Sequence, residues 1–406
     1  MDSLEARFLG PGAVVAGVLS GTSADGIDVG IARIRARGGG RGGERGIELL
    51  PPELLVYATE PYPVEIARRV RAILEGAPCG LRETALLDRD LGRAFGAAAR
   101  AVADRARLEL ELDLVASHGQ TVWHHDGLEV SGPATLQLGD GDFVAETAGC
   151  AVASDFRQRD VAAGGEGAPL SPLADVLLFA HVPKPAAILN LGGLANLTLL
   201  ASDGGLLAFD TGPANALLDG LARRVLGAAM DEDGAAAARG RADPDFVAEL
   251  LRHPFLERAP PKSTGRDTFG AAWLDGIVAD ARRRGLLARG PDDLLATAVD
   301  FVAATVADAL VRFAPERPRE LLVAGGGALN PAQMAALARR TGIPVRSSAA
   351  VGLDPKAREA LVFAVLGAAC VLGIPVTHPG ATGAAAGRTL GKISRHSRGC
   401  RGDPPG

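Results

Sequence analysis

The chain has 406 residues, of which 47% are hydrophobic and 22% are charged, and its formal net charge is -5. These values predict a folded protein of two or three domains, because single domains average about 150 residues and disordered chains are less apolar. The negative net charge argues against nucleic acid as the main partner.

The predicted elements of the first half begin with a strand–turn–strand unit. The apolar run 13–19 leads into a polar, glycine-rich turn at 20–26, and a second strand continues at 27–34. The Arg/Gly-rich stretch 35–46 contains Gly-x-Gly-x-x-Gly, but no helix follows it, so we expect a mobile loop and no dinucleotide site. The elements predicted after it are two helices within 63–112, strands at 114–117 and from 135, a helix near 142–148, a strand at 151–153 and a long loop at 155–172.

The second half repeats the opening pattern. A strand at 187–191, a glycine-rich turn at 192–196 and a return strand at 197–200 predict an internal duplication in architecture. The elements predicted after them are a strand at 206–209, helices at 215–226, 243–251, 271–284 and 291–313, a buried strand at 321–324, and a disordered tail after Lys392.

The longest uncharged run, 360–376, is interrupted by Gly367, Gly373 and Pro375. It predicts a buried helix that ends near Gly373 rather than a membrane span, which needs about 20 apolar residues. We therefore expect no membrane partner.

Lysine is rare in this chain and occurs at four positions, Lys184, Lys262, Lys356 and Lys392. A P-loop requires Gly-Lys followed by Ser or Thr, whereas the one Gly-Lys pair, at 391–392, is followed by Ile393. The sequence thus has no P-loop, and a protein with this sequence that uses ATP must hold the phosphates in another way.

The four cysteines, Cys79, Cys150, Cys370 and Cys400, lie far apart and form no Cys-x-x-Cys pair. They predict neither a structural zinc site nor a thiol redox motif. Sparse cysteines suit a reducing compartment, and the N-terminus lacks the basic leader of a signal peptide, so we expect a cytoplasmic protein.

Three glycine-rich turns are candidate phosphate-binding sites, because glycines let backbone amides approach an anion. The first adds hydroxyls and carboxylates that can order magnesium, and its candidate residues are Gly21, Thr22, Ser23, Asp25, Gly26 and Asp28. The second is Asp210-Thr211-Gly212 before a predicted helix, and the third is Gly325-Gly326-Gly327 after a buried strand. Each segment also fits an ordinary turn or helix start, so composition leaves both interpretations open.

The loop 155–170 is a candidate for acid–base chemistry. Asp155 and Asp160 flank Arg157 and Arg159, and a flexible glycine series follows. A general base needs a carboxylate held near its proton donor, and an arginine can bind an acidic substrate or stabilise charge. The alternative is a surface ion-pair cluster, although long glycine-rich loops in compact domains are more often functional.

Three histidines, His118, His124 and His125, lie within eight residues. Their spacing is not that of a zinc site, so we expect polar substrate contacts at the end of this strand. Trp123 fits either the apolar face of a sugar or the core. Lys262, next to Ser263, is either a functional cation or a chance neighbour of a helix cap.

In their order along the chain, these segments resemble the anhydro-N-acetylmuramic acid kinases over residues 14 to 392 or so. The matching motifs are Gly21-Thr-Ser-Ala-Asp-Gly-Ile-Asp28, Ser117-His-Gly-Gln-Thr121, Leu136-Gln-Leu-Gly-Asp140, Asp155-Phe-Arg-Gln-Arg-Asp160, Gly164-Gly-Glu-Gly-Ala-Pro-Leu170, Asn190-Leu-Gly-Gly-Leu-Ala-Asn196, Phe209-Asp-Thr-Gly-Pro-Ala-Asn215, Lys262-Ser-Thr-Gly-Arg266 and Ala324-Gly-Gly-Gly-Ala-Leu-Asn330. The sequence departs from the family at Ala24, commonly Met, at Glu166, often Gln, and in the stretch 35–46, which looks like an insertion.

The resemblance implies an α/β fold of the actin, hexokinase and sugar-kinase superfamily, in which two ribonuclease-H-like domains enclose an ATP cleft. The expected domains are 1–185 and 186–374, with 375–392 packing back on the first and 393–406 as a disordered tail. The implied partners are a small-molecule sugar and a second copy of the chain in a homodimer.

The family's reaction is implied as well. Water opens the ring of 1,6-anhydro-N-acetylmuramic acid while the released oxygen takes the γ-phosphoryl of ATP, which gives N-acetylmuramic acid 6-phosphate and ADP in peptidoglycan recycling. The resemblance implies Asp160 as the base, with Asp155 as the alternative, and Mg²⁺ near Asp28 or Asp210. The first turn, Asp210 and Gly212 are expected at the phosphates and Gly325–Gly327 at the adenosine. The residues expected to face the sugar are His118, Gln120, Arg157, Gly165, Gly167, Ala168 and Pro169.

Two other functions remain open at this point. One is a kinase of the same superfamily that phosphorylates N-acetylmuramic acid or N-acetylglucosamine directly, without consuming water. The other is a non-catalytic sugar sensor on this fold. Such sensors usually carry a DNA-binding domain, and no basic helix-turn-helix segment precedes residue 14.

Overall fold

The computed structural model of the chain describes residues 2–21, 26–39, 46–74, 76–106, 111–124, 132–265, 268–288 and 290–396. The elements of the first half are α1 (Asp2–Leu9), β1 (Ala13–Ser20), β2 (Ile27–Ile34), β3 (Ala36–Gly38), β4 (Ile47–Leu49), β5 (Glu53–Glu60), α2 (Val64–Leu74), α3 (Leu81–Arg105), β6 (Leu114–His124), β7 (Thr135–Leu138), α4 (Gly141–Ala148), β8 (Ala151–Ser154), α5 (Phe156–Val161) and α6 (Pro172–Leu178).

The second half has the elements β9 (Ala186–Leu191), β10 (Leu194–Leu200), β11 (Leu206–Pro213), α7 (Asn215–Val225), α8 (Ala235–Arg239), α9 (Pro244–Leu250), α10 (Pro254–Glu257), α11 (Ala271–Arg283), α12 (Asp292–Phe313), β12 (Leu321–Ala324), α13 (Pro331–Thr341), β13 (Val345–Ser347), α14 (Ala357–Leu372), α15 (Pro379–Thr382) and β14 (Lys392–Ser394). Short 3₁₀ helices lie at Glu232–Gly234, Gly326–Leu329 and Ser348–Val351.

Two sheets with the same strand order organise the chain. The first has the order β5-β2-β1-β6-β8, extended by β14, and the second has the order β11-β10-β9-β12-β13. In both sheets the first two pairings are antiparallel and the last two are parallel. The predicted α/β fold class is confirmed, and the repeated order fits the predicted pair of ribonuclease-H-like units.

The central strand β1 is buried along its whole length. Alternate side chains point to opposite faces of a strand, so β1 contributes to two separate cores. Val14 and Val18 join the cluster under α3, whereas Val15 and Leu19 join the cluster under α14. The helices on both faces explain why 13–19 is a continuous apolar run rather than an alternating one.

Helix α14 packs on the first sheet, against β1, β2 and β6, although it follows the last strand of the second sheet. The backbones of β1 and α14 approach so closely that a Cβ at Gly17 would overlap the carbonyl oxygen of Ala360. The predicted buried helix and its end are confirmed, since α14 is capped by Gly373 with φ 68°. The chain therefore returns to the first half at α14, earlier than the predicted segment 375–392.

The end of the described chain also lies on the first sheet, where β14 pairs antiparallel with β8. The predicted tail was placed too early, because Ile393 and Ser394 belong to this strand and gain its backbone hydrogen bonds. The remainder of that prediction, 397–406, lies outside the described residues.

Two stretches predicted as loops contain regular structure. In the stretch 35–46, the strand Ala36–Gly38 pairs with Ile47–Leu49 in a hairpin, and 40–45 lie outside the described residues. The loop 155–172 begins with the short helix α5. Neither element was predicted, because three strand residues and six helix residues are too few to show a periodic pattern.

One described helix, α12, is long and apolar enough to cross a membrane by length and composition alone. Within its apolar window 78% of the residues are buried inside the fold. The residues around it include Phe246, Leu274 and Leu337 of other helices. Helix α12 is therefore the central helix of the hydrophobic core that packs on the second sheet.

Candidate active site

Asp160 is fully buried at the end of α5, and the following loop folds back around its side chain. The backbone N–H of Gly167 donates to Oδ2 at 2.8 Å, and the N–H of Gly165 donates to the carbonyl oxygen of Asp160 at 3.0 Å. A Cβ at Gly165 would overlap the Asp160 carboxylate, so glycine is required at that position. The glycine series of the loop is thus a cradle for one carboxylate.

A residue from the distant C-terminal segment completes this cradle. The hydroxyl of Thr382 donates to Asp160 Oδ1 at 2.7 Å, and its carbonyl oxygen accepts from Glu166 N at 2.8 Å. Burial raises the pKa of Asp160 above its ordinary value, while the bonds from Thr382 and Gly167 and the charge of Arg157 oppose the rise. The carboxylate is therefore less acidic than a surface aspartate and still stabilised as an acceptor.

Arg157 and His118 form a second contact beside Asp160. Arg157 donates from Nε to His118 Nε2 at 2.9 Å and from Nη1 to the carbonyl oxygen of Gly167 at 2.8 Å. His118 is buried, and burial with the nearby guanidinium holds its pKa well below the usual value. His118 is therefore neutral, with Nε2 as acceptor and Nδ1 facing the carbonyl oxygen of Gly119 at 3.0 Å.

Asp155, the alternative base, lies in a different environment. It precedes α5 in the left-handed region with φ 57°, and its carboxylate pairs with Lys392 of β14. The two side chains are 28% and 74% exposed, which is typical of a surface ion pair. The structure thus brings Asp160 together with Arg157 and His118 and leaves Asp155 at the surface.

Gln120 is completely buried and its amide is fully engaged. Its oxygen accepts from the Tyr62 hydroxyl at 3.0 Å, and its nitrogen donates to the carbonyl oxygens of Gly21 at 3.4 Å and Thr121 at 3.1 Å. These bonds brace the first glycine turn. The predicted sugar contact of Gln120 stays a prediction, and its observed partners are all protein groups.

Of the other predicted loop residues, Gly165 and Gly167 lie in the cradle around Asp160. Ala168 and Pro169 follow them and are joined by a cis peptide bond. A Cβ at Gly167 would approach Val161 and His124. His124 also lies 3.5 Å from the Ser263 hydroxyl, so the end of β6 meets the second half here. Trp123, the neighbouring residue on β6, is 49% exposed and does not belong to the core.

Glu166 joins this loop to the second half of the chain. Its Oε1 accepts from Arg258 at 2.8 Å, and its Oε2 accepts from the backbone N–H of Ser263 at 2.6 Å and from its hydroxyl at 3.0 Å. Burial raises the pKa of Glu166, and Arg258 opposes the rise. The negative charge of Glu166 is thus paired with the positive charge of Arg258.

The first glycine turn connects β1 to β2 and is described at its ends. Gly21 follows β1, and Asp28 lies at the start of β2, where its Oδ1 accepts from the hydroxyls of Tyr57 at 2.7 Å and Thr59 at 2.6 Å. A Cβ at Gly26 would lie 2.5 Å from the Thr59 methyl group, so the turn passes close to β5. The predicted residues Thr22, Ser23 and Asp25 lie outside the described residues.

Asp210 lies on β11 and is 6% exposed. Its Oδ2 accepts from the backbone N–H of Thr264 at 2.9 Å, and burial is the main cause that raises its pKa to about 7. Gly212, two residues later, has φ 149° and faces Leu256 and Thr305. Asp210 is thus a buried carboxylate at the start of the turn that leads into α7.

The third glycine turn lies where β12 ends beside β9. Gly325 has φ 81°, and a Cβ there would lie 2.6 Å from the carbonyl oxygen of Leu191, while a Cβ at Gly327 would lie 2.6 Å from the Leu191 side chain. Gly326 is exposed. Two of the three glycines are therefore needed for packing, and the middle one presents backbone to the surface.

Glu359 is an acidic residue that the sequence analysis missed. It lies on α14, accepts from Asn190 Nδ2 at 3.1 Å and is close enough to Asp28 and Arg157 to interact with their charges. Burial raises its pKa. One feature of the sequence could have indicated it: Arg358 and Glu359 directly precede the longest uncharged run, which forms a buried helix. Charged residues at the start of a buried helix need partners, so these two were candidates for specific contacts.

Arg358 has such a partner in Asp175, with both residues at most 1% exposed. Its Nε and Nη2 donate to the two carboxylate oxygens at 2.9 and 2.6 Å, and Thr198 adds a bond of 2.7 Å. The pair joins α14, α6 and β10. The next residue, Glu359, lies beside Asn190 near the end of β9.

The ammonium group of Lys262 lies among aromatic side chains. It is surrounded by the rings of Phe209, Phe255 and Phe313 at 4.9–5.9 Å and donates to the carbonyl oxygens of Phe255 and Leu256. Burial lowers its pKa to about 8. The side chain of Lys262 thus lies in the core, where its charge still interacts with that of Asp210. The backbone oxygen of Lys262 accepts from the Asp210 N–H at 3.0 Å.

A family model for anhydro-N-acetylmuramic acid kinase matches residues 13–396. Proteins named anhydro-N-acetylmuramic acid kinase are 41% identical over 93% of this chain and 96% of the protein from Xanthomonas campestris pv. campestris, 42% over 94% and 93% for Streptomyces coelicolor, and 38% over 97% and 99% for Salinibacter ruber. The chain belongs to the anhydro-N-acetylmuramic acid kinase family. The predicted family and the predicted enzyme class are confirmed.

For a kinase of this family, the described groups separate into two sets. The first set is the cradle of Asp160 with Arg157, His118 and Glu166, and it contains a buried carboxylate beside a fixed guanidinium. The second set contains the acidic groups Asp28, Asp210 and Glu359 with the glycine turns. The charge of Arg157 interacts with Asp160 of the first set and with Asp210 and Glu359 of the second.

Proposed function

We propose that Asp160 is the base of the reaction that belongs to this family, the opening and phosphorylation of 1,6-anhydro-N-acetylmuramic acid. Asp160 takes one proton from water as the water oxygen attacks the anomeric carbon, and the bond from that carbon to O6 breaks. O6 forms a bond to the γ-phosphorus of ATP as the bond to ADP breaks. The products are N-acetylmuramic acid 6-phosphate and ADP, and the proton on Asp160 is released to solvent.

The observation that carries this proposal is the cradle around Asp160. A base must be held in position and must remain an acceptor, and each carboxylate oxygen of Asp160 has one donor, from Gly167 and from Thr382. Each oxygen therefore keeps acceptor capacity for a water. Asp155 offers no comparable position, because its carboxylate faces Lys392.

Arg157 supports the transfer step in this proposal. Its Nε and Nη1 are held by His118 and by the loop carbonyl of Gly167, which fixes the plane of the guanidinium. A fixed guanidinium stabilises negative charge on a leaving oxygen or a transferring phosphoryl group. His118, Gly165, Gly167, Ala168 and Pro169 then form the wall that faces the sugar.

ATP is assigned to the second set of groups. Its phosphates would contact the backbone of the first turn, Gly21 to Asp28, and the turn at Gly212, while its adenosine would lie against Gly325–Gly327. Two buried polar atoms fit a ligand there, since Ser20 Oγ and Asn190 Oδ1 have no partner among the described residues. Both lie at the ends of central strands, where backbone and hydroxyl groups can receive phosphates.

Mg²⁺ is assigned to Asp28 and Asp210. The described residues contain no cluster of three His, Cys, Asp or Glu side chains that could hold a metal alone. Mg²⁺ in kinases binds one or two carboxylates together with substrate phosphates. Asp210 offers a buried carboxylate whose Oδ2 accepts from the Thr264 N–H, and Asp28 offers a carboxylate whose Oδ1 accepts from Tyr57 and Thr59. When bound, the ion would neutralise charge on the phosphates.

Three further assignments accompany the proposal. The sugar is the small-molecule partner, the compartment is the cytoplasm and the oligomer is a homodimer. Light scattering on the peak that elutes from a size-exclusion column tests the dimer. A homodimer should give a molecular mass of twice the chain mass of 41.5 kDa.

An assay of ADP release tests the proposed function. With 1,6-anhydro-N-acetylmuramic acid the enzyme should release ADP and form the 6-phosphate, whereas N-acetylmuramic acid and N-acetylglucosamine should react far more slowly. Faster release with an open sugar would show a kinase that consumes no water. Sugar binding without ADP release would show a sensor.

A further inference from the structure

Thr382 contacts the proposed base from a distant part of the chain. Its hydroxyl lies 2.7 Å from Asp160 Oδ1, although the two residues are 222 positions apart. Thr382 is 2% exposed and Asp160 is 0% exposed, so the bond is shielded from solvent. A shielded bond to a charged group is worth more than an exposed one.

We propose that Thr382 is a positioning residue of the kinase, whose hydroxyl holds the Asp160 carboxylate in one orientation and in its ionised form. The inference rests on the proposed function of Asp160 as the base. It assigns a role in the reaction to the C-terminal segment, beyond its packing on the first half.

The geometry supports this role because both partners of the carboxylate are donors. Gly167 N–H bonds to Oδ2 at 2.8 Å, and the Thr382 hydroxyl bonds to Oδ1 at 2.7 Å. An ionised carboxylate accepts both bonds, whereas a protonated one must give up an acceptor site or force the hydroxyl to rotate. Without the hydroxyl, Oδ1 would be buried with one partner fewer.

Few groups around Asp160 influence its pKa, so the bond from Thr382 can have a measurable effect. On its own helix Arg157 favours the ionised form, while burial favours the protonated form. On the following loop Glu166 is directed at Arg258 and Ser263 rather than at Asp160. His124 of β6 approaches the loop at Gly167. The Thr382 bond is therefore one of a few contributions that oppose burial, and its loss should raise the pKa of Asp160 further.

The backbone of Thr382 adds a connection to the second half. Its carbonyl oxygen accepts from Glu166 N at 2.8 Å, and the helix α15, which ends at Thr382, lies against β11. Strand β11 carries Asp210. Thr382 thus links the loop of the base to the strand of the phosphate side, so both are fixed by one short segment.

The variants Thr382→Val and Thr382→Ser test the role. Valine keeps the shape and removes the donor, whereas serine keeps the donor. In rate–pH profiles with the anhydro sugar, Thr382→Val should move the acid limb of kcat upward by about one pH unit or more and lower kcat at neutral pH by about tenfold. KM for ATP should change less than about twofold, and Thr382→Ser should retain the wild-type profile.

Thr297→Val is the matched control, because it removes a fully buried hydroxyl of α12. It should leave the profile unchanged. An unshifted acid limb in Thr382→Val would overturn the inference, and so would equal losses in the valine and serine variants, which would indicate packing alone. If Thr382→Val does not fold, Thr382→Ala is measured by the same criterion.

Asp160→Asn separates this inference from the proposed function. If that variant is active, the assignment of the base is wrong whatever Thr382 does. If it is inactive while Thr382→Val keeps the wild-type profile, the base is supported and the role of Thr382 is wrong.

Discussion

Arg258 and Glu166 form an ion pair of 2.8 Å between the second half of the chain and the loop that surrounds Asp160. The two side chains are 24% and 17% exposed, so the pair is partly shielded from solvent. Ser263 adds two bonds to the other carboxylate oxygen. The charge at Glu166 thus belongs to a contact that joins the two halves of the chain.

Replacing Glu166 by Gln should weaken this contact. The neutral amide loses the attraction to Arg258 and keeps a single acceptor oxygen for three donors. We expect KM for the anhydro sugar to rise about tenfold, with kcat less affected, because bonds to charged groups contribute about 1.5–3 kcal/mol. Steady-state kinetics with both substrates measure the effect.

Arg37→Gln is the control for Glu166→Gln. It breaks an ion pair with Glu48 whose side chains are 64% and 43% exposed on the hairpin β3–β4, and it should leave KM unchanged. Equal KM values for Glu166→Gln and the wild type would mean that the contact does not position the sugar site.

Arg157→Lys should lower kcat by about a hundredfold, because a misplaced group at a reacting centre costs about that much. A lysine ammonium lacks the planar fork that bonds His118 and the carbonyl oxygen of Gly167 together. Arg159→Lys changes an exposed arginine on the same helix and should keep the wild-type rate. A kcat for Arg157→Lys within about threefold of the wild type would contradict the proposed fixed cation.

Lys262 should make the stability of the protein depend on pH. Its folded pKa is about 8 because of burial, below the ordinary value of 10.5. Between these values the unfolded chain binds a proton that the folded chain has lost, so the free energy of unfolding rises with pH. The contribution is about 3 kcal/mol across the interval.

Denaturant unfolding between pH 7 and pH 10 or so, with Lys262→Met and Lys356→Met as variants, checks this dependence. The rise attributed to Lys262 should disappear in Lys262→Met and persist in Lys356→Met, where the lysine is exposed. Parallel curves for the wild type and Lys262→Met would show that the buried ammonium does not titrate in this range.

Much of the fold could be predicted because its signals are local. The strands β1 and β9 are apolar runs that end in glycine-rich turns, and the helix α14 ends at a glycine with positive φ. The side of the fold on which α14 packs could not be predicted from such signals. It depends on the close approach of Ala360 to Gly17 and Gly30, which are far away in sequence.

The candidate site divides in the same way. The motifs around Asp160 and Asp210 could be found because glycines and carboxylates are dense there. The choice between Asp155 and Asp160 depended on Lys392 and Thr382, more than 200 positions away from either. Glu359 was missed and Lys262 was left open for the same reason, since burial and partners decide whether a charge faces the site or the core.

The assignment of Asp160 as the base is the central claim, and Asp160→Asn compared with Asp155→Asn tests it most directly. ADP release from ATP and 1,6-anhydro-N-acetylmuramic acid should fall at least a thousandfold or so in Asp160→Asn, with ATP binding retained, because asparagine cannot take the proton of water. Asp155→Asn, which loses a surface ion pair with Lys392, should keep a rate within about threefold of the wild type. Near-normal ADP release by Asp160→Asn, or its loss in Asp155→Asn alone, would contradict the account.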